Sequence, residues 1–129
     1  VTTSEALTRG VRVHVEARYS PDHSDPRRSE WFFLYTITIS NEGPETVQLL
    51  NRHWVITDAS GEVEQVRGPG VVGHQPVLRQ GEKFEYTSGC PLKTPFGSMQ
   101  GSYEMSLESG ERFLADVAPF ALREPGALH

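Results

Sequence analysis

The chain has 129 residues and a formal net charge of −5 at pH 7. That length suits one domain with a proper core. The acidic balance excludes non-specific nucleic-acid binding, which needs a basic face to release counterions. The 12 glycines and 9 prolines are scattered rather than repetitive, a pattern of many turns and not of disorder. A single cysteine, Cys90, excludes an internal disulfide. No apolar run approaches the roughly 20 residues that span a bilayer. No charged segment followed by an apolar one opens the sequence, so a soluble cytoplasmic protein without a membrane partner is the expectation.

Residues Val1 to Gly10 are polar and unpatterned, which predicts a flexible N-terminus over 1–9. Val11, Val13, Val15 and Ala17 then alternate with Arg12, His14, Glu16 and Arg18, a strand with one buried face. Ser20 to Glu30 carries two prolines and mixed charge and reads as an exposed loop. Trp31 to Ser40 is the strongest strand, with Phe33, Tyr35, Ile37 and Ile39 on one face. The following run changes phase. Val47 and Leu49 share one parity, Leu50, Trp54 and Ile56 the other, which predicts a β-bulge near Leu50 and Asn51.

Asp58 to Gly61 turns the chain into Glu62 to Arg67, an edge strand with charged positions. Phe84 and Tyr86 alternate with Lys83 and Glu85 in a further strand. Met99, Gly101, Tyr103, Met105 and Leu107 share a face of the next. Gly101 on that core face predicts close approach by a large neighbour such as a tryptophan. Phe113, Ala115 and Val117 alternate, and Pro119 separates them from a last apolar piece, Phe120 to Leu122. With no stretch of helical period, the seven to eight short strands predict an antiparallel β-sandwich of immunoglobulin or fibronectin III type, over residues 10–122 with a tail at 123–129. Lacking a cysteine pair, it stands closer to the fibronectin form.

The centre of the sequence is Arg67-Gly68-Pro69-Gly70-Val71-Val72-Gly73-His74-Gln75-Pro76. Gly68, Gly70 and Gly73 match the G-x-G-x-x-G phosphate fingerprint by spacing. That fingerprint requires a helix whose N-terminus faces the phosphate. Here Pro69, the β-branched Val71 and Val72, and Pro76 oppose a helix, so a glycine loop between strands is the reading. Successive amides in such a loop can form an anion nest. Arg67 flanks it, and Arg52 and His74 come within its reach.

Catalytic signals are absent. No serine has a nucleophile-elbow context and no Asp-His spacing supports a triad. Cys90 has no acidic or histidine neighbour in sequence to lower its pKa. Of the five histidines, only His53 and His74 can be brought together, and two do not fill a zinc site. His14, His23 and His129 fall on a polar face, a loop and the tail. No catalytic residue, metal site or cofactor is assigned.

The segments Leu49 to Asp58, Val66 to Gly73 with Gln75-Pro76, Phe84 to Gly89, Thr94 to Tyr103, and Pro119-Phe120 together resemble the ApaG family, in order and with family-like spacing over residues 10 to 122. The resemblance implies a fibronectin III-like sandwich. ApaG proteins occur alone in bacteria, often encoded beside a diadenosine tetraphosphate hydrolase, and are associated with magnesium and cobalt handling. The same domain in eukaryotic F-box proteins and a polymerase-interacting protein is similar to a protein-interaction module. No catalytic set comes with the resemblance. The sequence departs from the family in a longer, proline-containing Ser20 to Glu30 loop.

The expectation is therefore a non-catalytic module that binds a protein partner through Arg52, Arg67, Gly68, Gly70, Val71, Val72, Gly73 and His74. The alternative is a sensor of pyrophosphate or a dinucleoside polyphosphate, held by the same glycine amides with Arg67 and Arg52. A second copy of the chain is also admitted as a partner.

Overall fold

The computed structural model describes residues 1–126. Among them are nine strands: β1 (Thr2–Thr8), β2 (Val11–Tyr19), β3 (Trp31–Asn41), β4 (Val47–Asp58), β5 (Val63–Pro69), β6 (Val77–Leu78), β7 (Lys83–Leu92), β8 (Phe96–Leu107) and β9 (Arg112–Arg123). Short 3-10 turns at Pro21–His23 and Pro26–Arg28 fill the proline-rich loop. One antiparallel sheet has the order β1-β2-β3-β7, the other β5-β4-β8-β9, with β6 also on β4. The fold is the expected β-sandwich.

The alternating residues meet between the layers. Val11, Val13, Val15, Phe33, Ile37 and Ile39 from one sheet are fully buried against Met99, Tyr103, Met105 and Leu122 from the other. Trp54 is the hub of the aromatic part. Tyr35, Tyr103 and Phe120 each present an edge contact to it, with ring centroids 5.6–6.1 Å away. Such pairs add about 0.5–1.5 kcal/mol each beyond burial. Gly101 lies directly opposite Trp54 on β8. A Cβ there would fall 3.2 Å from the indole and only 2.0 Å from the His53 carbonyl oxygen. The tryptophan approach is as expected, and the backbone comes closer still.

The register of β4 against β8 shifts between Leu49 and Asn51, so Leu50 is the extra residue of a bulge where the parity switch placed one. A second bulge lies where the sequence suggested a break. Met99 pairs with Phe120 but Gly101 with Val117, leaving Ala118 and Pro119 opposite Gln100. Proline has no amide to give a ladder, and the bulge absorbs it, so β9 runs through.

The flexible N-terminus expected over 1–9 is instead β1, paired with β2 from Thr2 to Thr8. Its inward side chains are mostly hydroxyls, and they reach across to the other sheet. Ser4 Oγ donates to the Ala118 carbonyl at 2.8 Å, Thr2 Oγ1 donates to Ala121, and Thr8 Oγ1 accepts from the Asp116 amide at 3.1 Å. β1 thus staples one side of the sandwich shut against β9. At the other end of the chain β9 extends to Arg123, and His129 lies outside the described residues.

Candidate functional site

The glycine run folds into a two-residue hairpin, and no helix follows it. Val71 and His74 exchange both backbone hydrogen bonds, at 2.8 and 2.9 Å. Between them Val72 and Gly73 have φ of 43° and 82°. Two successive left-handed residues make a type I′ turn, whose twist suits a hairpin. Glycine is at home there, whereas a β-branched side chain is strained. Val72 occupies that position with half its surface exposed, 52%.

The hairpin is braced from behind by β4. The Leu50 carbonyl accepts the Gly70 amide at 2.8 Å and Gln75 Nε2 at 2.9 Å. Arg52, half-buried beside Trp54, donates from Nη1 to the carbonyls of Pro69 and Gly70, each at 2.9 Å. Its guanidinium lies so close to Gly68 that a Cβ there would sit 3.0–3.2 Å from three of its atoms. At Gly70, with φ of 62°, a Cβ would meet the His74 carbonyl oxygen at 2.3 Å. The two glycines admit a cation and a carbonyl of the protein itself.

These contacts redistribute the expected site. Val71 is fully buried in the core and offers no contact surface. Arg52 is a brace. The amides of Gly70, Val71 and His74 are spent inside the protein, so the anion nest keeps only those of Val72 and Gly73. Exposed at the surface are Arg67, Val72, Gly73 and His74. His74 packs on Phe84 with centroids 5.8 Å apart, whereas His53 Nε2 meets Gln65 Oε1 at 2.9 Å. The two histidines are thus held by separate partners. Among the described residues no group of three or more His, Cys, Asp or Glu is placed to hold a metal ion.

Sequence reasoning missed a hollow beside the hairpin. It holds about 330 Å³ between β4, β5 and β7, with Tyr35, Trp54 and Met99 in its floor, Val66 and Ser88 on its walls and Val72 at one end. Cys90 lines it as well, its thiol pushed up to about 12, first by burial and then by the charge of Glu64. It is protonated and unreactive at neutral pH. Behind it the buried hydroxyls of Tyr86 and Tyr103 meet at 2.5 Å, and burial raises the pKa of both. The charged edge strand at β5 and the alternation of β7 were visible, but no local pattern tells that two edge strands share one side of a sandwich.

The family model of the ApaG domain (DUF525) matches residues 21–107. The chain belongs to the ApaG family. It is 55% identical to Protein ApaG of Rhodopseudomonas palustris over 120 residues, 93% of this chain and 92% of that one. It is 53% identical to Protein ApaG of Parvibaculum lavamentivorans over 122 residues, 95% and 94% of the two chains. A solved structure from Bordetella pertussis superposes with a TM-score of 0.88 at 48% identity, covering 91% of this chain and 95% of that one. The ApaG match takes in the hairpin, its brace and the hollow, and leaves β1, β2 and β9 outside it. Neither the domain's description nor these ApaG relatives' names specify an enzyme activity.

Proposed function

We propose that the protein is a non-catalytic binding module of the cytoplasm that recognises a protein partner through the face carrying Arg67, Val72, Gly73 and His74. One observation carries this reading: a valine held at φ 43° on the exposed tip of a braced hairpin. Backbone strain of about 1–3 kcal/mol persists where the surroundings impose it, and it concentrates at contact sites. An aliphatic tip presented on a rigid support loses little entropy when a partner covers it. The association of the family with magnesium and cobalt handling would then act through that partner.

The test is a pull-down from native cell extract with wild type and Arg67→Glu. Arg67 forms no ion pair or side-chain hydrogen bond among the described residues, so the variant should keep its melting temperature and lose the partner. Retained capture would move the site elsewhere. A thermal-shift panel with pyrophosphate, dinucleoside polyphosphates, magnesium and cobalt tests the small-ligand alternative, since a ligand at a hundredfold over its Kd stabilises by about 2.7 kcal/mol.

A further inference from the structure

The sandwich is closed on one side and open on the other. β1 and β9 are stapled together, but β7 and β5, the opposite edges of the two sheets, have the hollow between them. Ile56, Glu64 and Pro91 line both this hollow and a second one that continues it to Val63, Leu92 and Lys93. Together they form a groove beside β5 from Val63 to Val66.

Two hydrogen bonds fix which backbone groups of β5 face outward. The Asp58 amide donates to the Glu62 carbonyl at 3.0 Å at one end of the β4–β5 ladder, and Gly70 to Leu50 at 2.8 Å at the other. Antiparallel pairing alternates. The N–H and C=O of Glu64, Val66 and Gly68 therefore point at β4, and those of Val63, Gln65 and Arg67 point at the open edge. The side chains alternate with them, so Glu64 and Val66 face the groove. By the same phase, set by the Asn41 amide on the Glu82 carbonyl, Pro91 faces the open edge of β7 and removes a donor there. No proline interrupts β5 before its last residue, Pro69. Beside the part of the groove where Pro91 lies, β7 thus lacks an outward donor, whereas β5 keeps its outward groups at Val63, Gln65 and Arg67.

The groove beside β5 is mainly acidic. Asp58, Glu62 and Glu64 lie on the β4–β5 side of the second hollow, while its other side carries Glu30 together with Arg28 and Lys93, so acidic groups outnumber basic ones there. Neither Glu62 nor Glu64 forms an ion pair among the described residues. A second copy would lay another acidic β5 against this one, on a chain already at −5. Like charges opposed across strands are destabilising.

We propose that the open edge of β5 is a strand-addition site for an extended segment of a partner protein, apolar where it faces Val66 and Trp54 and basic where it faces Glu64 and Glu62. This rests on the binding-module reading and gives the partner its chemistry. The segment hydrogen-bonds to Val63, Gln65 and Arg67, and its alternate side chains cover the mouth of the groove. It closes the second side of the sandwich as β1 closes the first.

The test titrates the full chain, followed by amide NMR, with two end-blocked peptides, Thr-Ile-Thr-Lys-Thr-Lys-Thr and its reverse, one for each strand direction. One of them should bind, with shifts centred on Val63, Gln65 and Arg67. Replacing both lysines by glutamate should weaken binding at least tenfold. Gln65→Pro deletes an outward amide without touching the ladder to β4 and should do the same, as should Glu64→Lys, which decides the matter if the proline variant fails to fold. No binding by either peptide, equal binding of the glutamate versions, or undiminished binding by both variants would overturn the proposal. So would a dimer in sedimentation that Gln65→Pro dissociates. A pull-down partner lost with Arg67→Glu but kept with Gln65→Pro and Glu64→Lys would end strand addition and leave the binding-module reading standing. Peptide binding at β5 beside a pull-down indifferent to Arg67→Glu would keep strand addition and move the partner's contact off the hairpin face.

Discussion

The guanidinium of Arg52 lies against the backbone of Gly68 and hydrogen-bonds past it to the carbonyls of Pro69 and Gly70. The arginine that donates to the glycine loop is thus part of its own support. Arg52→Met keeps the stem beside Trp54 and loses two charge-assisted bonds. It should cost about 1.5–3 kcal/mol in urea unfolding with an unchanged m-value. A variant as stable as wild type would remove the brace from the account.

Val72→Asn should stabilise the fold. Asparagine accepts a left-handed φ that valine resists, and the exposed valine side chain contributes little packing. Relief of about 1 kcal/mol raises Tm by about 4 °C in a domain of this size. Differential scanning calorimetry reads it directly, and a lower Tm would mean that Val72 is not strained.

Three glycine-to-alanine variants should rank by what the new methyl meets. Gly101→Ala drives a Cβ to 2.0 Å from the His53 carbonyl in the middle of a ladder, and Gly70→Ala to 2.3 Å from that of His74 at the base of the hairpin. Gly73→Ala meets nothing within 4 Å and suffers only its φ of 82°. The last should cost about 1–2 kcal/mol, and the first two more, with Gly101→Ala the worst. Chemical denaturation of the three checks the order.

Stability should fall on the alkaline side through the interior of the sandwich. Burial pushes the Cys90 thiol from 9.0 to about 12 and raises the hydroxyls of Tyr35, Tyr86 and Tyr103 above 10.0. The unfolded chain releases these protons first as pH rises, so the folded state's advantage is complete below about pH 8.5 and drains away toward pH 12. Cys90→Ala removes one such proton. Between about pH 9 and 11 its stability should fall less steeply than that of wild type, by up to about 1.4 kcal/mol per pH unit. Parallel slopes would contradict the burial of the thiol.

Much of the sandwich was legible because its strands alternate in hydropathy. The parity switch after Leu49 even located the bulge in β4. β1 was not legible, because Thr2, Ser4 and Thr8 turn hydroxyls inward and satisfy them on β9 carbonyls and an amide, which leaves no apolar period to read. Pro119 read as a break because a bulge in β9 depends on its partner, not on its own sequence. The glycine run was recognisable as a turn, yet Val71 and Val72 are identical neighbours, and nothing local tells that one enters the core and the other takes the tip. The β5–β7 groove joins residues distant in sequence, and only the order of the strands reveals it.

The most direct test of the hairpin tip as a contact site is the capture of the cellular partner by Val72→Asn, measured beside its Tm. The account predicts a protein that melts higher and no longer retains the partner. Capture equal to wild type from the stabilised variant would contradict it.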